Sequence, residues 1–346
     1  MIHDWTFFIF GGKSHLIFAL LFGLSFHIIM ASNAAKGVDY RARFLWRLFL
    51  LLSMGYLHSL LYSGDILQVL SICGVLLVLL SRASNKTLLI VGLVFVAQIP
   101  TYLFVVYLIN NPELHGNSPS FYPLMAENFK MFAHASLPDL MTYNLFLGQI
   151  GKWVFFLETG RLWSIVGFFL IGNVLGRIEF FESIAKYTKV YLVAFVVLLL
   201  AYACFGPIAS FFSHYIPAGS PVHVFNEIFT DYSNAALTFV LIIVFIICYR
   251  HLRLEKALNL LAPCGRMSLT LYLVQSLIGV PLYYGFGLGW YASIGQVPSL
   301  MIGIGLFVVQ VAFAHLWFKG FYYGPMEWLW RSLTLMQRNV PMRRVG

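Results

Sequence analysis

The sequence predicts an all-α fold: a polytopic transmembrane helical bundle of about nine spanning helices, with the N-terminus outside and the C-terminus inside. Hydrophobic residues make up 60% of the 346 residues and charged residues 10%, against about 45–50% and about 25% in a soluble domain. Nine long apolar segments divide the chain, near 14–32, 42–63, 66–81, 87–110, 161–178, 189–212, 231–249, 267–288 and 297–318. The positive charges fall almost entirely in every second gap between these segments.

Lys36, Arg41, Arg43 and Arg47 follow the first segment, and Arg82 and Lys86 the third. Arg177, Lys186 and Lys189 follow the fifth, and Arg250, Arg253, Lys256 and Arg266 the seventh. Lys319, Arg331, Arg338, Arg343 and Arg344 follow the ninth, which brings the total to 18 of the 22 Lys+Arg. Only Lys13, Lys130, Lys152 and Arg161 lie on the other side. Positive loops stay in the cytoplasm, which orients the chain. The net charge of +9 is juxtamembrane, facing anionic headgroups, and is no nucleic-acid signal. The outer side carries Asp4, Asp65, Glu113, Glu127, Asp139, Glu158, Glu227 and Asp231, read as a solvated acidic surface.

Residues 1–346 read as a single integral membrane domain. A spanning helix needs ~20 apolar residues, so the short third segment must stand nearly upright. Tyr62-Ser63-Gly64-Asp65 is a tight outer turn, with Asp65 as N-cap and Gln68 completing a capping box. Residues 111–160 form the one long outer loop. Its mixture of aromatics with Glu127, Lys130, His134 and Lys152 predicts amphipathic helices on the outer surface. A second outer loop is expected over His214–Glu227, with Pro217, Gly219 and Pro221. The 320–346 tail, with Tyr322, Tyr323, Trp328 and Trp330, reads as a cytoplasmic interfacial segment. Cys73, Cys204, Cys248 and Cys264 have no metal-ligand spacing and read as small buried hydrophobes. No P-loop, nucleophile elbow or HExxH motif is present, and no metal site is expected.

Polar residues inside the membrane are costly and mark function. His58 lies near the outer end of the second segment, and Asp65 starts the next helix across the turn. A His beside a carboxylate suits a general base or a proton relay; a structural contact closing the hairpin is the plainer reading. Ser268, Tyr272 and Gln275 share a helix face and suit a cavity lining, or interhelical hydrogen bonding. Arg161 and Asp231 begin the fifth and seventh helices on the outer side, where with His58 and Asp65 they are expected around one outward-facing cavity. Inside, Arg266 and Arg331 are the clearest pair of cations for a phosphate-bearing donor. Glu327 and Arg331, at i, i+4 spacing, read more simply as a local salt bridge.

Three stretches and a closing run resemble a known family. They are Gly12-Lys13 with Phe18-Ala19-Leu20-Leu21-Phe22-Gly23, Gly55-Tyr56-Leu57-His58 with Gly64-Asp65-Ile66-Leu67, and Gly265-Arg266-Met267-Ser268-Leu269-Thr270 through Gly287-Leu288-Gly289. The run is Gly324-Pro325-Met326-Glu327-Trp328-Leu329-Trp330-Arg331-Ser332-Leu333-Thr334. Together they resemble the YeiB-type family, domain of unknown function 418. The resemblance implies a multi-pass protein of the bacterial cytoplasmic (inner) membrane with about ten helices. That family is distantly similar to transmembrane acyltransferases, which implies a coenzyme A thioester donor and a sugar or lipid acceptor on the far side. His3 falls roughly where that superfamily's outer His lies. The superfamily's first helix is missing here. Together with an outer N-terminus that carries no signal peptide, this predicts a further apolar segment before Met1.

Three functions stay open at this level. An acyltransferase would use His3 or His58 as base, Asp65 to orient it, and Arg266 and Arg331 on donor phosphates. A transporter would carry a small solute through the same cavity, with broken helices or repeats as its mark. A non-enzymatic membrane binding protein is the third. The bilayer is the one certain partner.

Overall fold

A computed structural model describes residues 11–114, 116–181, 187–250, 254–291, 293–337 and 340–344. Its helices are α1 (Ser14–Ala34), α2 (Arg41–Ser59), α3 (Leu67–Leu79), α4 (Asn85–Val96), α5 (Ile99–Asn110), α6 (Phe121–His134), α7 (Leu137–Glu158), α8 (Arg161–Arg177), α9 (Thr188–Ser213), α10 (Ser220–Arg250), α11 (Glu255–Asn259), α12 (Ala262–Arg266), α13 (Ser268–Tyr283), α14 (Gln296–Gly320) and α15 (Pro325–Leu335). Among the described residues the only β pairing is an isolated bridge between Phe321 and Arg343.

Five helical stretches are long and apolar enough to cross a membrane: α1, α4 with α5, α9, α10 and α14. Two bent pairs raise the number to seven: α7 with α8, at 68°, and α11–α12 with α13, at 76°. The expected nine exceeds this by the α2–α3 hairpin. α2 carries Arg41, Arg43 and Arg47 within its 19 residues. α3 has 13 residues, about 20 Å of helix against a hydrocarbon core of ~30 Å.

Two segment boundaries differ from expectation. α10 begins at Ser220, so the expected loop to Glu227 shrinks to a short turn. Pro221 causes no break, because a proline in the first helical turn lacks only an N–H that would be unpaired anyway. The 87–110 segment is interrupted at Gln98, which adopts a left-handed conformation (φ 56°). Pro100 cannot donate to the Val96 carbonyl four residues back and its ring crowds that carbonyl, so α4 ends at Val96 and the helix restarts at Ile99 with Pro100 in its first turn.

The core lies between α1, α3, α4 and α8. Leu16, Ala19, Ile165, Phe168 and Leu170 are fully buried there, and the Phe22 and Phe169 rings stack at 4.8 Å. Gly23 lies against the Phe169 carbonyl and Gly172 against that of Leu20. Any side chain at either position would separate the two helices, the small-residue packing of membrane interfaces. By contrast, only 6% of the most apolar window of α9 and 11% of that of α14 is buried. Apolar faces of that extent are stable against lipid, not water.

Candidate functional site

The most concentrated polar chemistry lies where α2 ends and α3 begins. Gly55 lets the two helices meet: a Cβ there would stand 2.8 Å from Asp65 Oδ1 and 2.9 Å from the Gln68 nitrogen. The turn then folds Asp65 back onto the last turn of α2. Asp65 is fully buried and His58 is 7% exposed. His58 Nδ1 lies 2.7 Å from Asp65 Oδ2.

Asp65 receives two further donors. The Gln68 N–H reaches Oδ1 at 3.2 Å, capping α3, and the Tyr272 hydroxyl reaches Oδ2 at 3.3 Å. The Gln68 side chain does not close the expected capping box. Its amide donates to the Gly55 carbonyl (3.1 Å) and to Ser59 Oγ (2.8 Å). The Gln68 N–H and the Tyr272 hydroxyl both use Asp65 as acceptor, and with the carboxylate as acceptor toward His58 too the contact is made by the Nδ1–H tautomer. Nε2 then presents its lone pair, and it is buried with no hydrogen-bond partner.

α7 supplies the opposite wall. Gln149 donates to Ser59 Oγ at 2.6 Å and Asn144 donates to the Leu60 carbonyl at 3.0 Å. On the same helix Lys152 is 5% exposed, and its Nζ is buried with no hydrogen-bond partner, as are Asn144 Oδ1 and Gln149 Oε1. Lys152 feels the charge of Asp65. It makes a cation–π contact with the Trp153 ring, 5.9 Å away; a buried ammonium without a hydrogen bond is expensive, which makes Lys152 a candidate for a role at the site. Sequence reading counted Lys152 only as one outer cation. The available signal was Asn144, Gly148 and Lys152 at four-residue spacing, two polar residues and a glycine along one helix face.

Ser268, Tyr272 and Gln275 line one cavity of about 850 Å³ beside α1. Tyr272 forms its boundary with the dyad: its ring lies 5.1 Å from that of His58, and its hydroxyl also accepts the Ile66 N–H at 3.3 Å. Gln275 donates to Gln310 Oε1 at 3.0 Å.

Asp231 and Arg161 belong to a different cluster. Asp231 is held by Gln98 (2.8 Å) and by the Ser164 hydroxyl, and Gln98 also donates to the Gly160 carbonyl at 3.1 Å. Arg161 lies 4.5 Å over the Phe155 ring, close enough for its charge to act on Asp231 and His15. Sequence reading missed Gln98 and Ser164, because only the helix break aims that amide inward.

On the arginine-rich side, Arg266 stacks 4.2 Å over Phe318 and Arg331 lies 5.1 Å over Tyr323. Glu327 is not the local partner of Arg331: it accepts the backbone N–H (3.0 Å) and hydroxyl (2.5 Å) of Thr270. Arg47, unassigned from sequence, stacks 3.8 Å over Trp330 and lines the cavity beside α1. Of the four cysteines, Cys73 is buried but Cys204 is exposed, on the outward face of α9. His3 lies outside the described residues.

The motif resemblance agrees with direct comparison. Residues 175–337 match the family described as "Protein of unknown function (DUF418)". The uncharacterized protein YxaH of Bacillus subtilis is 26% identical over 338 residues, covering 94% of this chain and 79% of that relative. An uncharacterized 39.9 kDa protein from the amylase 3' region of Bacillus acidopullulyticus is 24% identical over 345 residues, 94% of this chain and 80% of the relative. The uncharacterized protein YeiB of Escherichia coli is 39% identical over 80 residues, 23% of this chain and 20% of that protein. No solved structure matches.

Proposed function

We propose that this chain is a multi-pass protein of the bacterial cytoplasmic membrane that transfers an acyl group to an acceptor on the outer side. The observation that carries the reading is the buried His58–Asp65 pair, 2.7 Å apart, with His58 Nε2 free of any partner. A carboxylate that fixes the imidazole tautomer and leaves Nε2 bare is the arrangement of a general base. Nε2 takes the proton of an acceptor hydroxyl or amine. That oxygen or nitrogen attacks the carbonyl of an acyl thioester such as acyl coenzyme A, the C–S bond breaks, and the thiolate leaves and takes up a proton. In this reading Lys152, buried on α7 within reach of the charge of Asp65, supplies the positive charge for the developing oxyanion. On the reading of nine crossings with the N-terminus outside, this site would belong to the outer half of the bilayer.

The test is release of free thiol from acetyl and palmitoyl coenzyme A by the protein in proteoliposomes, with a bacterial membrane extract as acceptor. Release that requires both protein and extract supports the reading. Absence of release with every donor and extract contradicts it. The orientation is tested in intact cells, in a background lacking the native cysteines. Cysteine at Asn117 should react with an impermeant maleimide and cysteine at Gly37 should not; the reverse overturns the topology.

One observation favours a second reading. The Gln98 break brings Gln98, Ser164 and Asp231 together within the membrane, and discontinuous helices with buried acids mark proton-coupled transporters. Proton uptake driven by an added solute, abolished by Asp231→Asn and untouched by His58→Ala, would select it.

A further inference from the structure

The cavity beside α1 is a slot with two different ends. Ser14, Phe18, Leu21, Phe22, Ser25 and Ile29 of α1 form one wall. At 1.5 Å per residue this wall is about 22 Å long, more than the ~15 Å depth of one leaflet. Leu271 of α13 and Phe307 of α14 lie opposite, and the lining is mostly apolar. Its volume of about 850 Å³ is in the range of ligand sites, about 300–1,000 Å³.

The end nearest the arginine-rich face is cationic. Arg47 lines it, stacked on Trp330 at 3.8 Å. No acidic side chain pairs with Arg47 among the described residues; its polar neighbour is the Tyr40 hydroxyl, and Arg331 is a further cation nearby. The neighbouring acid, Glu327, is engaged by Thr270. Ser268 and Gly265 line the same end at the start of the 16-residue α13, whose N-terminal N–H at Thr270 is already met by Glu327. An arginine with no acidic partner, at the mouth of an apolar slot, calls for an anion that carries a hydrocarbon chain.

We infer that this slot binds an anionic phospholipid of the adjacent leaflet, with its phosphate on Arg47 and one acyl chain along α1 between α13 and α14. The guanidinium offers paired N–H groups that match phosphate oxygens, and the chain replaces lipid contacts that the open wall of α1 would otherwise make. The inference stands independently of the acyl-transfer reading.

The test is thermal unfolding of the delipidated, detergent-solubilised full chain, titrated with phosphatidylglycerol, phosphatidylcholine of the same chains, or palmitoyl coenzyme A. A ligand that binds only the folded state raises the midpoint. Phosphatidylglycerol should raise it by several degrees and phosphatidylcholine by much less. Arg47→Gln should remove the difference between the two lipids. Ser25→Trp, which fills the slot and leaves every charge in place, should remove the phosphatidylglycerol shift altogether. Arg43→Gln, an exposed arginine outside the slot, should retain it. Equal shifts with the two lipids, an undiminished shift in Ser25→Trp, or a shift with palmitoyl coenzyme A alone would each overturn the assignment.

Discussion

Replacing Asp65 by Asn keeps the shape of the side chain and removes one of its two acceptor ends. All three groups on Asp65 are donors: the Gln68 N–H on Oδ1, and His58 Nδ1 and the Tyr272 hydroxyl on Oδ2. Asn has a single oxygen, so its NH₂ must face either the Gln68 N–H or His58. Facing Gln68, it loses the cap of α3, at a cost of ~1 kcal/mol. Facing His58, it donates to Nδ1, moves the imidazole proton to Nε2 and removes the base. The same substitution in a Ser-His-Asp triad lowers turnover by ~10⁴, about 5 kcal/mol of transition-state stabilisation. Loss of one hydrogen bond to a charged group costs about 1.5–3 kcal/mol of stability. The expected outcome is thiol release down by three to four orders of magnitude, with a folded protein whose midpoint falls by only a few degrees. Both are read on one preparation, by initial rate and by thermal unfolding in detergent. A rate within tenfold of wild type would refute the tautomer argument.

Gly55→Leu should act through the same contacts by steric means. Its side chain meets Asp65 and Gln68 at the 2.8–2.9 Å already occupied by the Cβ position, so α3 must shift at a cost of ~1–3 kcal/mol, and thiol release should be lost; unchanged activity would show that the α2–α3 approach is not required. Lys152→Met removes a buried ammonium that makes no hydrogen bond at nearly constant volume. The unfolding midpoint should hold or rise while thiol release falls at least tenfold; a lower midpoint with full activity would make Lys152 a structural residue.

The helical class, the membrane and the positions of most helices were legible because apolar runs and juxtamembrane charge are properties of composition. The α2–α3 turn was legible too: a short Gly-Asp turn leaves His58 and Asp65 little choice but to meet. The places of Lys152, Gln149 and Asn144 were not legible, because their helix meets the end of α2 from some 90 residues downstream in sequence, and local spacing carries no record of which helix it will face. Gln98 was hidden for a different reason. Its role depends on the helix break that Pro100 imposes, which turns a mid-segment amide toward Asp231. For Arg266 and Arg331 the charge was legible but not the setting: each guanidinium lies over an aromatic face, Phe318 and Tyr323, a pairing that no local spacing records. Arg47 was counted as an orienting charge, and only the packing of α15 against α2 puts it at a cavity mouth.

The central claim is that His58 Nε2 is the base, and His58→Ala tests it most directly. Asp65 keeps the Gln68 N–H and the Tyr272 hydroxyl when the imidazole is removed, so the carboxylate is not stranded. Thiol release and the unfolding midpoint are measured together on the purified variant. The account predicts loss of release with a midpoint close to wild type; a sharply lowered midpoint with release intact in the surviving folded protein would make the pair a structural clasp and contradict the claim.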